Sequence, residues 1–234
     1  MTGQMNTAVI VAAGKGDRMG DDIPKQYLLL GARPILWHSL KTFETCGEID
    51  RINLCIPKQD FNFCRSNILT HLDFPEKINL VPGGTRRQES VYNGIMAIDG
   101  AAGKNGIVVI HDGVRPFVKT GHITGCIREA VINGACILAV PAVDTIKSVS
   151  PEGRVVKTLS RDCVQMAQTP QAFQYDLIKT AHEEARQKGL TGTDDAQLVE
   201  FIGQPVKVIR GDKNNIKITN RPDLVLARAL HAMV

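Results

Sequence analysis

The feature that most constrains the fold of this chain is a regular alternation of short apolar runs with longer helical patterns. Apolar, β-branched runs occupy residues 7–13, 51–56, 77–81, 106–111, 135–140 and 205–210. Helical periodicity predicts helices near 34–46, 60–70, 87–99, 120–134, 174–188, 194–202 and 221–232, with Pro34 and Pro222 at first-turn positions. Strands alternating with helices build a mostly parallel sheet with helices on both faces, a Rossmann-like α/β fold. Ligands of such sheets bind beyond the carboxyl ends of the strands, and the polar motifs of this chain fall there. The 234 residues are expected to form one domain, 1–234.

One segment departs from the alternation. Val143 to Val149 and Arg154 to Leu159 flank a turn at Ser150-Pro-Glu-Gly153 and read as a β-hairpin inserted between a core strand and a helix. A lone hairpin with alternating valines and charges buries little. The arm, about 142–164, is therefore expected to pack against a second copy in a homodimer.

Composition narrows the partners. A formal charge of +4 with 22% charged residues suits a small anionic substrate, and no basic tract or aromatic-interleaved patch points to nucleic acid. No apolar run is long enough to span a membrane, and the N-terminus lacks signal-peptide character, so a cytoplasmic protein is expected. The six cysteines contain no C-x-x-C pair, which argues against a zinc site or disulfide framework.

The first apolar run opens into Gly14-Lys-Gly-Asp-Arg-Met-Gly20, followed by Pro24-Lys25-Gln26. Glycines let backbone N–H groups approach an anion, and Lys15, Arg18 and Lys25 supply charge where a phosphate would lie. The P-loop pattern is absent, because Lys15 falls between the glycines and no Gly-Lys-Ser/Thr follows. The dinucleotide fingerprint fails too: Gly14, Gly16 and Gly20 are spaced one residue too long, and Pro24 interrupts an early helix.

Three later motifs carry polar chemistry. In Gly83-Gly84-Thr85-Arg86-Arg87-Gln88-Glu89-Ser90-Val91 the glycines suit close approach to a flat base. Ser90 there reads either as a base contact or, with Glu89, as support for a helix N-terminus. Asp112, in His111-Asp112-Gly113-Val114-Arg115-Pro116, ends a buried strand. It is placed to bind a ribose hydroxyl, to help hold Mg²⁺, to touch substrate, or to pair with Arg115. His111 reads as a packed, satisfied histidine. Lys217 lies between Ile216 and Ile218, which tie it to an ordered element and favour a functional role.

The ordered set of these motifs, with Asp144-Thr-Ile-Lys147 and Thr169-Pro-Gln171, resembles the 2-C-methyl-D-erythritol 4-phosphate cytidylyltransferases over residues 7–223, in stand-alone form. The resemblance implies a nucleotidyltransferase domain in which the phosphate of 2-C-methyl-D-erythritol 4-phosphate attacks the α-phosphorus of CTP. It implies Arg18, Lys25, Arg161 and Lys217 as catalytic cations, with Mg²⁺ bound mainly through the CTP phosphates. Ala12, Ala13, Gly14, Gly16, Gly84, Thr85, Ser90 and Asp112 would surround the nucleotide. Asp112, Arg115, Arg161, Thr169, Thr193 and Lys217 would hold the acceptor, with Arg161 reaching a partner's site. Some members carry an acidic residue where this chain has Thr85. A ribitol 5-phosphate cytidylyltransferase and a non-catalytic nucleotide-binding regulator are the alternatives. The four cations argue against the regulator.

Overall fold

The computed structural model describes residues 4–14 and 23–233. Its strands are β1 (Thr7–Val11), β2 (Leu29–Leu30), β3 (Arg33–Pro34), β4 (Arg51–Ile56), β5 (Ile78–Pro82) and β6 (Ile107–Asp112). They continue with β7 (Ala135–Pro141), β8 (Lys147–Val149), β9 (Val155–Thr158), β10 (Gln165–Gln174) and β11 (Lys207–Arg210). Seven of them form one sheet in the order β11-β7-β10-β6-β1-β4-β5, in which β10 runs antiparallel to both its neighbours and every other pairing is parallel.

Strand periodicity decides what each face buries. On one face Ala8, Ile10, Leu54, Val109 and Leu138 pack under α1 (Ile35–Glu44), α2 (Phe61–Asn67) and α5 (Thr120–Asn133). On the other, Val9, Ile110, Ile137 and Phe173 pack under α3 (Arg87–Met96), α6 (Tyr175–Gln187) and α7 (Asp195–Phe201). Each fully enclosed Ile or Leu contributes about 1.5–3 kcal/mol. Gly94 lets α3 lie directly on the sheet: a Cβ there would come 2.4 Å from a Val9 methyl. A short α4 (Gly100–Lys104) precedes β6. Leu224 and Ala227 of α8 (Arg221–His231) close a third cluster over Leu30, Ile35, Val114 and Ile218.

The chain passes from β1 outward to β4 and β5, then returns to the far side of β1 with β6. That reversal opens a crevice at the carboxyl ends of β1 and β6, the place where such sheets bind ligands.

All six expected strands and all seven expected helices form, with small shifts at their ends. β1 stops at Val11, which leaves Ala12 and Ala13 in the loop. The expectation that a helix follows the inserted hairpin directly is corrected: β10 intervenes as the antiparallel member of the sheet. Its sequence, with Gln at 165, 168, 171 and 174 and a proline at 170, carries no strand-like apolar pattern. Its register against β7 shifts between Gln168 and Gln171, where the proline has no N–H to give to the ladder.

The arm is a hairpin of β8 and β9, closed by a turn in which the Gly153 N–H donates to the Ser150 carbonyl at 2.9 Å. Val143, Val149, Val155 and Val156 on it are exposed. Among the described residues no helix is long and apolar enough to cross a membrane. Five cysteines are buried and free, and Cys163 is exposed.

Candidate active site

Three strand ends and two further segments meet in one cleft. Ala12, Ala13 and Gly14 follow β1, Gly84 and Thr85 follow β5, and Asp112 ends β6. Lys25 and Lys217 line the same cleft, with Ser90 and Arg87 from the first turn of α3. Arg18 and Gly16, expected in the first loop, lie outside the described residues.

The two glycine-rich loops touch each other. A Cβ on Gly83 would fall 2.3 Å from the Ala13 Cβ, and one on Gly84 would fall 2.3 Å from the Glu89 Cβ. Gly83 is thus required by packing of one loop against the other, and Gly84 by the close approach of Glu89 within its own segment, whatever ligand enters. Ser90, 2% exposed, accepts from the Gly84 N–H at 3.0 Å and donates to the Arg86 carbonyl at 3.2 Å. Glu89 accepts from the Thr85 N–H and hydroxyl at 2.9 and 2.7 Å. Ser90, Glu89 and Thr85 therefore brace the loop from within.

Asp112 is the electrostatic centre. Its Oδ1 accepts from Arg87 Nε at 3.0 Å, while Oδ2 lies 3.0 Å from Lys217 Nζ and 3.4 Å from Arg115 Nε. Burial raises the cost of its charge, but Arg87, Lys217 and Arg115 outweigh it and hold the carboxyl far below the ordinary range. The pairing of Asp112 with Arg115 and a place for Asp112 in the cleft hold together. Three cations thus stand at its two oxygens, in the same place where a role beside Mg²⁺ is expected of it. Among the described residues no group of three His, Cys, Asp or Glu side chains is placed to hold a metal.

β10 supplies the floor beneath Asp112. The Thr169 hydroxyl accepts from the Asp112 N–H at 3.1 Å and lies 3.0 Å from His111 Nδ1. The other ring nitrogen of His111 lies 3.2 Å from the Arg115 carbonyl, so the imidazole is satisfied as Nε2–H donor and Nδ1 acceptor. Burial lowers its pKa to about 3, which keeps the ring neutral. Asn215 donates to the Thr169 carbonyl at 2.8 Å and accepts through its own carbonyl from Arg115 Nη1 at 2.7 Å. These bonds lock the segment that carries Lys217 against β6 and β10.

Two expected residues stand apart from the cleft within one chain. Arg161 is exposed at the base of the arm, where it donates to the Val143 carbonyl at 3.2 Å. Thr193 precedes α7 and bonds Gln197 through both its N–H and its hydroxyl. Conversely, Arg87 and Asp195 were not singled out from sequence, although Arg87 stands in a quoted motif. Arg87 Nη1 lies 2.7 Å from Asp195 Oδ2, a pairing that no local spacing reveals.

The arrangement is a cation-rich cleft bounded by glycine-rich loops, chemically suited to anionic ligands. The family model for 2-C-methyl-D-erythritol 4-phosphate cytidylyltransferase matches residues 6–232. A protein of that name from Geobacter metallireducens is 46% identical over 225 residues, 95% of each chain. Another from Pelotomaculum thermopropionicum is 44% identical over 223 residues, 95% of this chain and 92% of its own. The crystal structure of 4-diphosphocytidyl-2C-methyl-D-erythritol synthase from Anaerococcus prevotii superposes with a TM-score of 0.87 at 36% identity, over 97% of this chain and 96% of that one. With nearly its whole length matched in sequence and in fold, this chain belongs to the 2-C-methyl-D-erythritol 4-phosphate cytidylyltransferase family.

Proposed function

We propose a division of labour in the cleft for the reaction of this family. The chain is a cytidylyltransferase of isoprenoid biosynthesis: it joins the cytidylyl group of CTP to 2-C-methyl-D-erythritol 4-phosphate and releases pyrophosphate. CTP lies over the loops after β1 and β5, with its base at Gly83–Ser90 and its triphosphate along the first loop toward Lys25. The acceptor phosphate stands at Lys217, and Asp112 and Thr169 adjoin its polyol or the ribose.

An acceptor phosphate oxygen attacks the α-phosphorus in line. The bond from that phosphorus to the bridging oxygen breaks, and pyrophosphate leaves with the electron pair. The nucleophile is already ionised, so no general base is needed, and neutral His111 is consistent with that. Two anions must meet, and negative charge grows on the pentacoordinate phosphorus, so fixed cations supply the main stabilisation. Lys25 and, by resemblance, Arg18 serve that charge. Mg²⁺ enters on the triphosphate as part of the substrate, where it neutralises phosphate charge.

The observation that carries this reading is the convergence of Ala12–Gly14, Lys25, Gly84, Asp112 and Lys217 on one cleft. Arg161 is read as serving the partner's site in a homodimer, because it stands on an arm whose valines are exposed and lies outside its own chain's cleft. We read the chain as one cytoplasmic domain that acts on small molecules and binds no nucleic acid. A pyrophosphate-release assay with CTP and either 2-C-methyl-D-erythritol 4-phosphate or ribitol 5-phosphate tests the acceptor. Turnover is expected with the first, and equal turnover with ribitol 5-phosphate overturns the acceptor assignment.

A further inference from the structure

Arg87 is held between two buried carboxylates. Its Nε donates to Asp112 Oδ1 at 3.0 Å, and its Nη1 lies 2.7 Å from Asp195 Oδ2. The third nitrogen, Nη2, is enclosed and has no hydrogen-bond partner among the described residues, so these two carboxylates orient the guanidinium. A planar fork suits that bridge, whereas a lysine would present a single point charge.

Asp195 is itself fixed from several sides. It is 1% exposed, and His182 Nε2, on a fully enclosed ring of α6, lies 3.2 Å from its Oδ1. The N–H groups of Asp195 and Ala196 donate to Gln171 Oε1 at 3.2 and 3.3 Å. Gln171 Nε2 in turn donates to Asp194 at 2.8 Å, and Asp194 caps α7 by accepting from the Gln197 N–H. Burial disfavours the charge of Asp195, yet Arg87 and then His182 hold the carboxyl below its ordinary range.

We propose that Asp195 is a positioning residue for cytidylyl transfer: acting through Arg87, it sets where Asp112 and Lys217 stand toward the acceptor. The inference rests on the reading above, in its form that places the acceptor phosphate at Lys217 and the acceptor's polyol, not the ribose, at Asp112. Asp195 draws one arm of the Arg87 fork away from Asp112 and leaves Oδ2 to Lys217 and Arg115. Without its charge, the guanidinium turns wholly onto Asp112 and competes with Lys217 for the carboxylate. A displacement of about 1 Å in a positioning group costs on the order of 10²-fold in rate.

A double-mutant cycle on the full chain tests this, with Asp195→Asn, Arg87→Gln and the double variant assayed for kcat and KM of each substrate. Asp195→Asn is expected to lower kcat/KM for the acceptor by roughly 10- to 100-fold while leaving the KM for CTP nearly unchanged. In the Arg87→Gln background the same change should cost nothing further. A loss that multiplies in full onto that of Arg87→Gln means Asp195 supports the fold independently of Arg87, and overturns the proposal. Arg87→Gln with unaltered kcat/KM overturns it as well. The reading of the site itself fails separately, if the wild-type chain shows no turnover of the methylerythritol acceptor. Should Asp195→Asn fail to fold, His182→Leu removes a donor to Asp195 and leaves the Asp194 cap in place. The same cycle then decides between the same outcomes.

Discussion

Lys217 Nζ lies 3.0 Å from Asp112 Oδ2, which joins the end of β6 to the segment that follows β11. The contact sets a cation beside a carboxylate that Arg87 and Arg115 also hold, at the crevice where the sheet reverses direction. Three cations thereby surround one carboxylate in the cleft.

Lys25→Ala is expected to lose about 10²–10³ in turnover at saturating CTP while its thermal unfolding stays close to wild type. Lys25 stands on a short 3₁₀ turn at the rim of the cleft, with Gln26 and Tyr27 making the buried contacts. Arg18→Ala is expected to behave alike. Near-normal turnover in either variant removes that residue from the mechanism.

Asp112→Asn should be costly for stability at neutral pH. It leaves three cations around a neutral amide in a buried site, a change of about 3–5 kcal/mol. Because the folded carboxyl lies below its unfolded value of about 3.9, its contribution is complete above that pH and is lost as the pH falls below it. Denaturant titrations at pH 7 and pH 3 check this: the deficit of the variant should shrink at the lower pH. A deficit of equal size at both contradicts the charge-based account.

The His111 ring should stay neutral well below its unfolded value of about 6.5, since burial lowers its pKa to about 3. The unfolded chain then binds a proton that the folded chain refuses, so this group subtracts about 1.4 kcal/mol of stability per pH unit between those values. NMR of the ring nitrogens at pH 5 reads the protonation state directly. A protonated ring at that pH refutes the enclosure of His111.

Gly83→Ala should weaken CTP binding. Its new methyl would meet the Ala13 Cβ at 2.3 Å and force the two loops apart, an overpacking cost of about 1–3 kcal/mol. The wild-type pocket should prefer CTP over ATP and GTP, because backbone groups close on the ring edge there. Purine nucleotides used as well as CTP, or an unchanged KM for CTP in Gly83→Ala, would count against the base assignment.

Mixing Arg161→Ala with Lys25→Ala chains should restore activity. Exchanged heterodimers contain one site with both residues intact if Arg161 serves the partner's cleft. The four exposed valines of the arm supply the apolar surface for such a contact. A mixture as inactive as its parents, after confirmed subunit exchange, places Arg161 within its own chain's reaction.

Local sequence determined the parallel layers and most of the cleft. Runs such as Val108-Val-Ile110 and Ala135-Cys-Ile-Leu138 are apolar on every residue because both faces of the sheet are covered, so they stand out from any helix. The glycine-rich loops and Asp112 follow those runs directly, which made the site legible at once. What only the tertiary structure decided is the placement of β10 and the partners of Arg87. Gln168, Thr169 and Gln171 are buried on β10 by hydrogen bonds to remote segments, and nothing apolar in their own pattern marks a strand. Asp195 likewise looks like any acidic residue in a first helical turn until the sheet brings it to Arg87. Apolar periodicity is a property of neighbours along the chain, whereas the satisfaction of a buried charge depends on residues that only the fold brings together.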